Sequence, residues 1–478
     1  MKPLFPPLPD ALRVALENDL PAALAQSLPL KTAHKRTLPL AIAELSARLT
    51  SERADTSPYW MHPRLVAAYA WYFLPWNIIR LVRLLRGLPL PAPRGDGATP
   101  VLLDLGSGPL TLPLALWLAF PQWHELPLSV ICCDNAPQPL ALGKRIFTAL
   151  AGEGSPWRII TRRAPLEALA HEAGRAHGPL WLLGACNVLN EVQGRSRSGR
   201  PAAALNGEDM PAATADAAAL RRRMATFALL LRATLHAQAD GGVPPLALLV
   251  EPGTRLGGRT LGLVREALVQ EEKAGSMDAA DELYGEADLG ADADAGTPEY
   301  APPLHLLAPC LCHVACPLQR QRTWCHFSFD VDGAPRWLED LAQAAHLGKR
   351  SLSLSFLLAG VVAAAQIPAA SGKDGVAARV VSSPLPVPGL KGQARYACAA
   401  SGLLLLEDAA ATPSGASLQV HLAPDGRRDA KTGAALARIP PQQGAHRATG
   451  TGGEPSHRRK RGASGTARPR RRKGSTPA

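Results

Sequence analysis

The spacing of hydrophobic positions predicts a helical beginning of the chain. Within residues 1–90, apolar side chains recur every three to four positions over 11–28, 38–49 and 67–85. This spacing places apolar side chains on one face of a helix. Pro75 falls inside the third run, where proline kinks or restarts a helix. We therefore expect a helical N-terminal domain over 1–90, followed by a Pro/Gly-rich linker.

The pattern changes near residue 100, where short apolar runs begin to alternate with helical segments. The predicted strands are 100–104, 128–133, 157–161, 180–185 and 246–250, and the predicted helices are 112–120, 138–151, 165–174 and 217–239. Strands that alternate with helices form a parallel, doubly wound sheet. The strands are apolar almost throughout, as expected for burial on both faces. The fold class is therefore α/β, with this domain over 98–270.

Composition divides the rest of the chain into three segments. Residues 271–299 are acidic and poor in large apolar side chains, so we expect a disordered insertion. Residues 300–435 contain further short apolar runs and are expected to form a β-rich part that completes the sheet. Residues 436–478 are expected to form a basic, disordered tail.

The positive charge of the chain is concentrated in this tail. The whole chain carries +12, and residues 446–478 hold ten Lys and Arg residues against one acidic residue, a net +9. Such a segment suits contacts with nucleic-acid phosphates. A solubilising tail without a specific partner is the alternative.

The start of the chain and its apolar runs give no sign of secretion or of a membrane span. The first residues are interrupted by prolines and lack an apolar signal core. No run of about 18 uncharged apolar residues occurs. We therefore expect a cytoplasmic protein without a membrane partner, in which clustered cysteines more often bind metal than form disulfides.

The glycine pair after the first predicted strand is the strongest loop motif. Asp104-Leu105-Gly106-Ser107-Gly108 stands between a strand and a helix, where open α/β sheets bind their ligands. A dinucleotide loop would need a third glycine at position 111, which is Thr. An acidic residue before the glycines suits a cationic ligand, so S-adenosylmethionine is the preferred cofactor. A purely structural turn is the alternative.

Two further segments belong to the same predicted edge of the sheet. Asp134 ends the second predicted strand and is placed to bind ribose hydroxyls. Asn190 and Glu191 follow the fourth strand and are weak catalytic candidates. Cys186 ends that strand and is expected in the core.

Four of the eight cysteines fall within sixteen residues, at 310, 312, 316 and 325. These four could form a closed zinc site, although their spacing differs from that of zinc ribbons. Iron–sulfur clusters use three close cysteines and a remote one, often with a following proline. Cys316-Pro317 and the distant Cys398 suit that arrangement better. Four unligated thiols are the third possibility.

Several motifs together resemble the methyltransferase-like family of mitochondrial small-ribosomal-subunit assembly factors and their bacterial relatives. The resemblance covers roughly 60–410 and rests on Ala68-Tyr69, Leu74-Pro75, Asp104-Leu105-Gly106-Ser107-Gly108-Pro109, Leu189-Asn190-Glu191, Val250-Glu251-Pro252-Gly253-Thr254, Cys310, Cys316-Pro317, Trp324-Cys325-His326-Phe327, Lys349-Arg350-Ser351 and Arg395-Tyr396-Ala397-Cys398. The chain departs from the family loop at Leu110, where a third glycine is common.

The resemblance implies a class I (Rossmann-like) S-adenosylmethionine-dependent methyltransferase fold with a helical N-terminal part and a metal-clipped, β-rich C-terminal part. It implies cofactor binding by Asp104, Gly106, Ser107, Gly108 and Asp134. It also implies a [4Fe-4S] cluster on the cysteines Cys310, Cys316, Cys325 and Cys398, with Cys312 as an alternate. The implied role is assembly of the small ribosomal subunit, or translation, through binding of 16S rRNA.

Two other functions stay open at this point. The chain could be an active rRNA methyltransferase, because the glycine loop is retained. It could also be a zinc-stabilised nucleic-acid-binding protein on a decayed enzyme fold, because zinc accepts four thiolates as well.

Overall fold

The structure is a computed structural model that describes most of the chain up to residue 440. The described residues are 3–50, 59–95, 97–189, 210–239, 244–270, 304–313, 315–319, 321, 323–361, 375–390 and 392–440. The insertion predicted at 271–299 and the tail beyond 440 lie outside these ranges.

A mixed eight-stranded sheet forms the centre of the chain. Its strands are β1 (Val101–Leu105), β2 (Leu128–Asp134), β3 (Trp157–Arg163), β4 (Leu180–Cys186), β5 (Leu246–Pro252), β6 (Leu304–Ala308), β7 (Phe327–Asp330) and β8 (Ser351–Val361). They lie in the order β3-β2-β1-β4-β5-β8-β6, and β7 also pairs with β8. The strands β1 to β5 are parallel, whereas β8 runs antiparallel to its neighbours.

This strand order identifies the type of fold. The first five strands follow the doubly wound order of Rossmann-like proteins. The antiparallel β8 lies between β5 and β6, as in the class I methyltransferase fold. The topology therefore supports the class I methyltransferase fold that the sequence resemblance implied.

Helices cover both faces of the sheet. They are α1 (Asp10–Val14), α2 (Leu20–Ser27), α3 (Thr32–Thr50), α4 (Pro63–Ala68), α5 (Leu74–Gly87), α6 (Thr111–Ala119), α7 (Pro137–Ala151), α8 (Leu169–Gly174), α9 (Met210–Ala237), α10 (Arg255–Gln270) and α11 (Arg336–Ala344). Neighbouring strand residues point to opposite faces. Leu102 joins the apolar cluster of α6, α7 and the N-terminal helices, whereas Leu103 joins that of α8, α9 and α10.

Three prolines, Pro21, Pro39 and Pro75, lie within the N-terminal helices without ending them. A proline ring crowds the carbonyl four residues earlier and donates no hydrogen bond. For Pro21 and Pro75, that earlier residue lies in a π-turn, Ala15–Asp19 and Tyr69–Phe73 respectively. The wider turn accommodates the ring. The helix predicted to kink or restart at Pro75 therefore runs from Pro63 to Gly87.

The helix Pro63–Gly87 has the length and composition of a membrane span, alone among the described helices. Inside this protein, however, 67% of its apolar window is buried. A helix buried in a protein core can have the same length and apolar composition as a membrane span.

A second sheet follows the first and closes on itself. Its strands are β9 (Val376–Val380), β10 (Leu385–Pro386), β11 (Gln393–Ala399), β12 (Gly402–Leu406), β13 (Ser417–Leu422) and β14 (Ala435–Arg438). Their order is β10-β11-β12-β14-β13-β9, and β9 also pairs with β11. Five strands thus form a closed barrel, which we call the C-terminal barrel. Small and branched side chains such as Ala378, Val380, Leu404 and Val420 fill its interior.

The N-terminal helices do not have a core of their own. Phe5 stacks on Phe329 of β7 with ring centroids 4.7 Å apart. The Trp337 Nε1 atom in α11 donates a hydrogen bond to the Leu16 carbonyl at 3.1 Å. Residues Met1–Pro440 form one compact unit. The helical part predicted over 1–90 is therefore packed into the same body as the sheet.

Some predicted boundaries differ from the structure. The part over 300–435 completes the main sheet only through β6, β7 and β8, because the later strands form the barrel. The last strand continues to Arg438, past residue 435, where we placed the end of the β-rich part. These differences arise because strand pairing between distant segments leaves little local signal.

We predict that Phe5→Ala destabilises the whole unit, because its ring packs against Phe329, Phe327 and Phe356. The expected loss of unfolding free energy is about 3–5 kcal/mol. Thermal unfolding followed by circular dichroism measures it. Val14→Ala is the control, because Val14 is 58% exposed. Equal unfolding temperatures for the two variants would contradict a shared core.

Candidate functional site

The loop between β1 and α6 lies at the carboxyl edge of the parallel strands. Gly106 has φ +62° and Gly108 has φ +53°, which are left-handed conformations that glycine adopts without strain. A Cβ atom at Gly106 would lie 2.3 Å from the Val188 Cγ2 atom. Glycine is therefore required at 106 both for its backbone conformation and for the close approach of the β4 loop.

Asp134 ties the end of β2 to this loop. Its Oδ2 atom accepts a hydrogen bond from the Gly108 N–H at 2.9 Å, and its Oδ1 atom accepts one from the Ala136 N–H at 2.8 Å. The backbone N–H of Ser107 also donates to the Cys133 carbonyl at 2.9 Å. Each carboxylate oxygen can accept a second hydrogen bond. The predicted ribose-binding residue therefore also orders the glycine loop while keeping acceptor capacity.

Asp104 is buried at the end of β1, with 1% of its surface exposed. The Ser107 hydroxyl donates a hydrogen bond to its Oδ2 atom. Burial raises the pKa of Asp104 to about 7; the Ser107 hydrogen bond lowers it, and the charge of Asp134 raises it. A buried carboxylate of this kind is stabilised by a cation, so the loop suits a cationic ligand.

Leu110 occupies the position of the missing third glycine. Its φ is +59°, in the left-handed region that costs a non-glycine residue about 1–2 kcal/mol. The Leu110 side chain is fully buried in the main core. The loop therefore keeps the backbone conformation that glycine favours, and burial of the leucine offsets the strain.

The β4 loop is held by a second buried acid that we did not predict as a site residue. Glu251, fully buried at the end of β5, accepts a hydrogen bond from the Leu189 N–H through Oε1 at 2.8 Å. The Asn187 N–H donates to the Val250 carbonyl at 2.7 Å. The Glu251-Pro252-Gly253-Thr254 motif was the available signal. The weak catalytic candidates Asn190 and Glu191 lie outside the described residues.

The cysteines form a separate site between the main sheet and the barrel. Five thiols line one cavity of about 60 Å³, contributed by Cys310, Cys312, Cys316, Cys325 and Cys398. One water molecule needs roughly 10–15 Å³ of such a cavity. The cavity can therefore hold a group larger than a single water molecule. The structure therefore brings Cys398, on β11, to the loop that follows β6.

Two arginines lie among these thiols. The Arg265 Nε atom on α10 donates a hydrogen bond to the Cys310 Sγ atom at 3.1 Å, and its Nη2 atom donates to the Cys312 carbonyl at 3.1 Å. Arg379 of β9 lines the same cavity. The positive charges of these two arginines favour the thiolate form of nearby cysteines.

Glycines on α10 allow the cysteine loop to approach this helix. A Cβ atom at Gly258 would lie 2.7 Å from the Trp324 ring, and one at Gly262 would lie 2.3 Å from the Gln319 side chain. The Trp324 Nε1 atom donates a hydrogen bond to the Gly253 carbonyl at 3.0 Å. The Ser355 hydroxyl on β8 donates to the Cys325 carbonyl at 2.7 Å. The loop is therefore fixed on two sides.

The described thiols do not by themselves form a site for a single metal ion. Within the described ranges, no three His, Cys, Asp or Glu residues are placed to hold a single metal ion. Burial raises the pKa of Cys325 well above its ordinary value, and the nearby Cys310, Cys398 and Cys316 raise it further. The five thiols of the cavity would supply the four thiolates that an iron–sulfur cluster or a structural zinc ion takes.

The chain is similar to known proteins only at the level of weak structural likeness. No family model matches the chain, and no curated protein matches it. Among solved structures it is similar to an S-adenosylmethionine-dependent methyltransferase from Agrobacterium tumefaciens, at 14% identity and a TM-score of 0.23. That match covers 41% of this chain and only 50% of the Agrobacterium protein.

Two further solved structures are similar at the same level. An arsenic(III) S-adenosylmethionine methyltransferase from Chlamydomonas reinhardtii has 14% identity and a TM-score of 0.23, covering 63% of this chain and 77% of that one. A loganic acid methyltransferase with SAH has 10% identity and a TM-score of 0.24, covering 76% and 99%. All three TM-scores lie below 0.5, so the strand order carries the fold assignment.

We predict that Asp104→Asn stabilises the free protein by an amount that grows as pH rises from about 4 to 7. The raised pKa means that the native state binds a proton which the unfolded state releases above pH 4, so stability falls as pH rises from about 4 to 7. The slope is about 1.4 kcal/mol per pH unit. Thermal unfolding of both proteins across this range measures the difference.

The control is Asp332→Asn, an exposed substitution outside this loop. Its unfolding temperature should follow that of the unchanged protein at every pH. A constant difference between Asp104→Asn and the unchanged protein from pH 5 to pH 8 would show that Asp104 does not titrate in this range.

Proposed function

We propose that this protein is an S-adenosylmethionine-binding, [4Fe-4S]-containing factor for assembly of the small ribosomal subunit or for translation. It would act in the cytoplasm by binding 16S rRNA. The observation that carries the proposal is the convergence of Cys310, Cys316, Cys325 and Cys398 on one cavity beside a class I methyltransferase sheet. These residues are the cluster ligands that the sequence resemblance implies.

The choice of these four cysteines follows the sequence resemblance. In addition to its burial, Cys325 is close enough to Cys310, Cys316 and Cys398 for their charges to raise its pKa. Cys398 is affected in the same way by burial and by Cys310, Cys316 and Cys312. Cys312 lines the same cavity and is therefore the alternate ligand. The loop cysteines and Cys398 stand on different parts of the fold, so a cluster bound by them would join the loop to the barrel. Binding energy at such a site also contributes to folding.

The glycine loop would hold S-adenosylmethionine. The Asp104 carboxylate would face the positive charge of the cofactor. Gly106 and Gly108 would let the protein backbone approach it closely, and Asp134 would accept hydrogen bonds from its ribose. Ser107 would keep the Asp104 carboxylate oriented through its hydroxyl. When bound, S-adenosylmethionine supplies an electrophilic methyl group.

Methyl transfer to rRNA is the second candidate function. The retained Asp104 and Asp134, both at the carboxyl edge of the sheet, favour it because cofactor binding needs them. If metal analysis found zinc in place of a cluster, the protein would instead be the zinc-stabilised nucleic-acid-binding protein described above. The basic tail, rich in arginine, would add contacts to rRNA phosphates.

We expect anaerobically purified protein to contain about four iron and four acid-labile sulfide atoms per chain. Cys398→Ser should lose most of this iron and the broad visible absorption, because it removes the ligand contributed by the barrel. Metal and sulfide analysis with absorption spectroscopy measures both.

The matched control is Cys312→Ser, at another thiol of the same cavity. It should keep the iron if Cys312 is a bystander. Zinc without iron or sulfide would refute the cluster. If Cys312→Ser lost the iron and Cys398→Ser kept it, Cys312 would be the ligand and Cys398 the bystander.

We expect the protein to bind both S-adenosylmethionine and immature 30S particles. Asp104→Asn should weaken cofactor binding about ten- to a hundredfold in calorimetry, because a charged interaction contributes roughly 1.5–3 kcal/mol. Labelled methyl transfer to 30S particles then separates the two candidate functions. Transfer abolished by Asp104→Asn identifies a methyltransferase, whereas cofactor binding without transfer favours the assembly role. Failure to bind 30S particles would contradict the assembly role.

A further inference from the structure

The C-terminal barrel has a specific strand topology. Taken in chain order without β10, its five strands pair as first with second, second with third, third with fifth, fifth with fourth, and fourth with first. The third and fifth strands, β12 and β14, are parallel, and every other pair is antiparallel. This is the topology of the OB-fold, a five-stranded barrel that commonly binds oligonucleotides.

The face that OB-folds most often use is occupied here. It is the outer face of the second and third strands, which is bordered by the loops that join the first to the second strand and the fourth to the fifth. On β11 and β12 the outward side chains Tyr396, Leu403 and Leu405 are buried in the main core. Cys398 on the same face lines the cysteine cavity. Nucleic acid therefore cannot use this face while the barrel is docked.

The loop between the fourth and fifth strands remains exposed. It covers residues 423–434, which we call the rim loop, and carries the exposed cations Arg427, Arg428 and Lys431. Arg427 pairs with Asp425 and Glu407. Arg428 donates a hydrogen bond to the Gly433 carbonyl at 2.9 Å, and no described carboxylate forms an ion pair with Arg428 or Lys431. Two positive charges are thus available for phosphates.

The rim loop is held in one conformation. Asp429 accepts hydrogen bonds from the Tyr396 hydroxyl and the Thr432 N–H, both at 3.0 Å. The Thr432 hydroxyl also donates to Asp429. The Asp429 carboxylate is therefore hydrogen-bonded within the protein, and it faces the rim loop. A loop fixed in this way loses little conformational entropy when a ligand binds.

A cavity of about 250 Å³ opens beside this loop. Its lining includes Arg428 from the rim loop, Ser401 from the β11–β12 turn, Gln321 from the cysteine loop, and the exposed Leu422. Small-ligand sites start at roughly 300 Å³, so the cavity lies just below their size and suits a ligand no larger than one nucleotide. A cation suits a phosphate, hydroxyl and amide groups suit a ribose 2′-OH, and an apolar side chain suits a base.

We propose that the rim loop and this cavity bind single-stranded RNA, with one nucleotide in the cavity and adjacent phosphates on Arg428 and Lys431. The inference rests on the proposed function in one respect: it gives the RNA partner a location on the chain. Its evidence is separate, because it depends on the barrel and not on the glycine loop or the cluster.

The test uses the full-length protein and a fluorescently labelled single-stranded RNA of about eight nucleotides, within the OB-fold site sizes. Arg428→Ala/Lys431→Ala should weaken binding about tenfold in fluorescence anisotropy. The slope of log affinity against log salt should fall by about 1.4, since each phosphate contact contributes roughly 0.7 in single strands. Arg158→Ala/Arg350→Ala removes the same charge from exposed positions elsewhere and should change the affinity less than twofold.

A second variant tests the cavity independently of charge. Ser401→Trp should reduce RNA affinity severalfold at an unchanged unfolding temperature, because Ser401 is exposed in a turn. The same single-stranded DNA should bind more weakly than the RNA. Equal losses in the two double variants, or unchanged binding by Ser401→Trp, would overturn the proposal.

These outcomes are distinct from those that test the proposed function. Binding of a short RNA requires neither S-adenosylmethionine nor a 30S particle. Specific loss in Arg428→Ala/Lys431→Ala therefore supports the rim site even if the protein binds no cofactor. Conversely, a protein with a cluster and 30S affinity but with no effect of these substitutions would contact RNA elsewhere.

Discussion

The close packing of the cysteine loop between α10, β8 and the C-terminal barrel is the constraint on which the arrangement of this protein depends. Gly258 and Gly262 leave room on α10 for Trp324 and Gln319, and Ser355 fixes the Cys325 carbonyl. Burying several thiols in one place is unfavourable once they ionise, because burial penalises charge. Arg265 and Arg379 offset part of this cost. Burial raises the pKa of Cys316, Cys325 and Cys398, and the cationic cluster core that we propose would offset more of the cost.

The same packing reaches the carboxyl edge of the main sheet. Trp324 is hydrogen-bonded to the Gly253 carbonyl, two residues beyond the buried Glu251, which holds the Leu189 N–H. The neighbouring Val188 side chain lies against Gly106 of the glycine loop. The cysteine cavity and the candidate cofactor loop therefore rest on a continuous set of contacts. This explains why Glu251, with no direct place in a cofactor site, is fully buried: it supports the loop that packs over Gly106.

Sequence reasoning succeeded where a signal was local and failed where it depended on distant pairing. The alternation of apolar strands and helices predicted the parallel sheet, since each strand is buried on both faces. The barrel was not predicted, because its closure depends on β9 pairing with both β11 and β13. The shared core of the N-terminal helices likewise depends on Phe5 reaching β7. At Leu110, residue type indicated a departure from the glycine loop, whereas the backbone keeps the left-handed conformation. The spacing of the cysteines left Cys312 and Cys398 as alternatives, and the fold places both at the cavity.

The position of Cys398 links the docking of the barrel to the surface that remains free. Cys398 lies on the outer face of β11 beside Tyr396, and the Tyr396 hydroxyl is hydrogen-bonded to Asp429 of the rim loop. The buried face therefore supports the exposed loop from behind. If the barrel turned its β11–β12 face outward to bind nucleic acid, Tyr396, Leu403 and Leu405 would be exposed at roughly 1.5–3 kcal/mol for each large apolar side chain. Docking against the main body is thus the stable arrangement, and within the barrel it leaves the rim as the surface for the RNA that we propose.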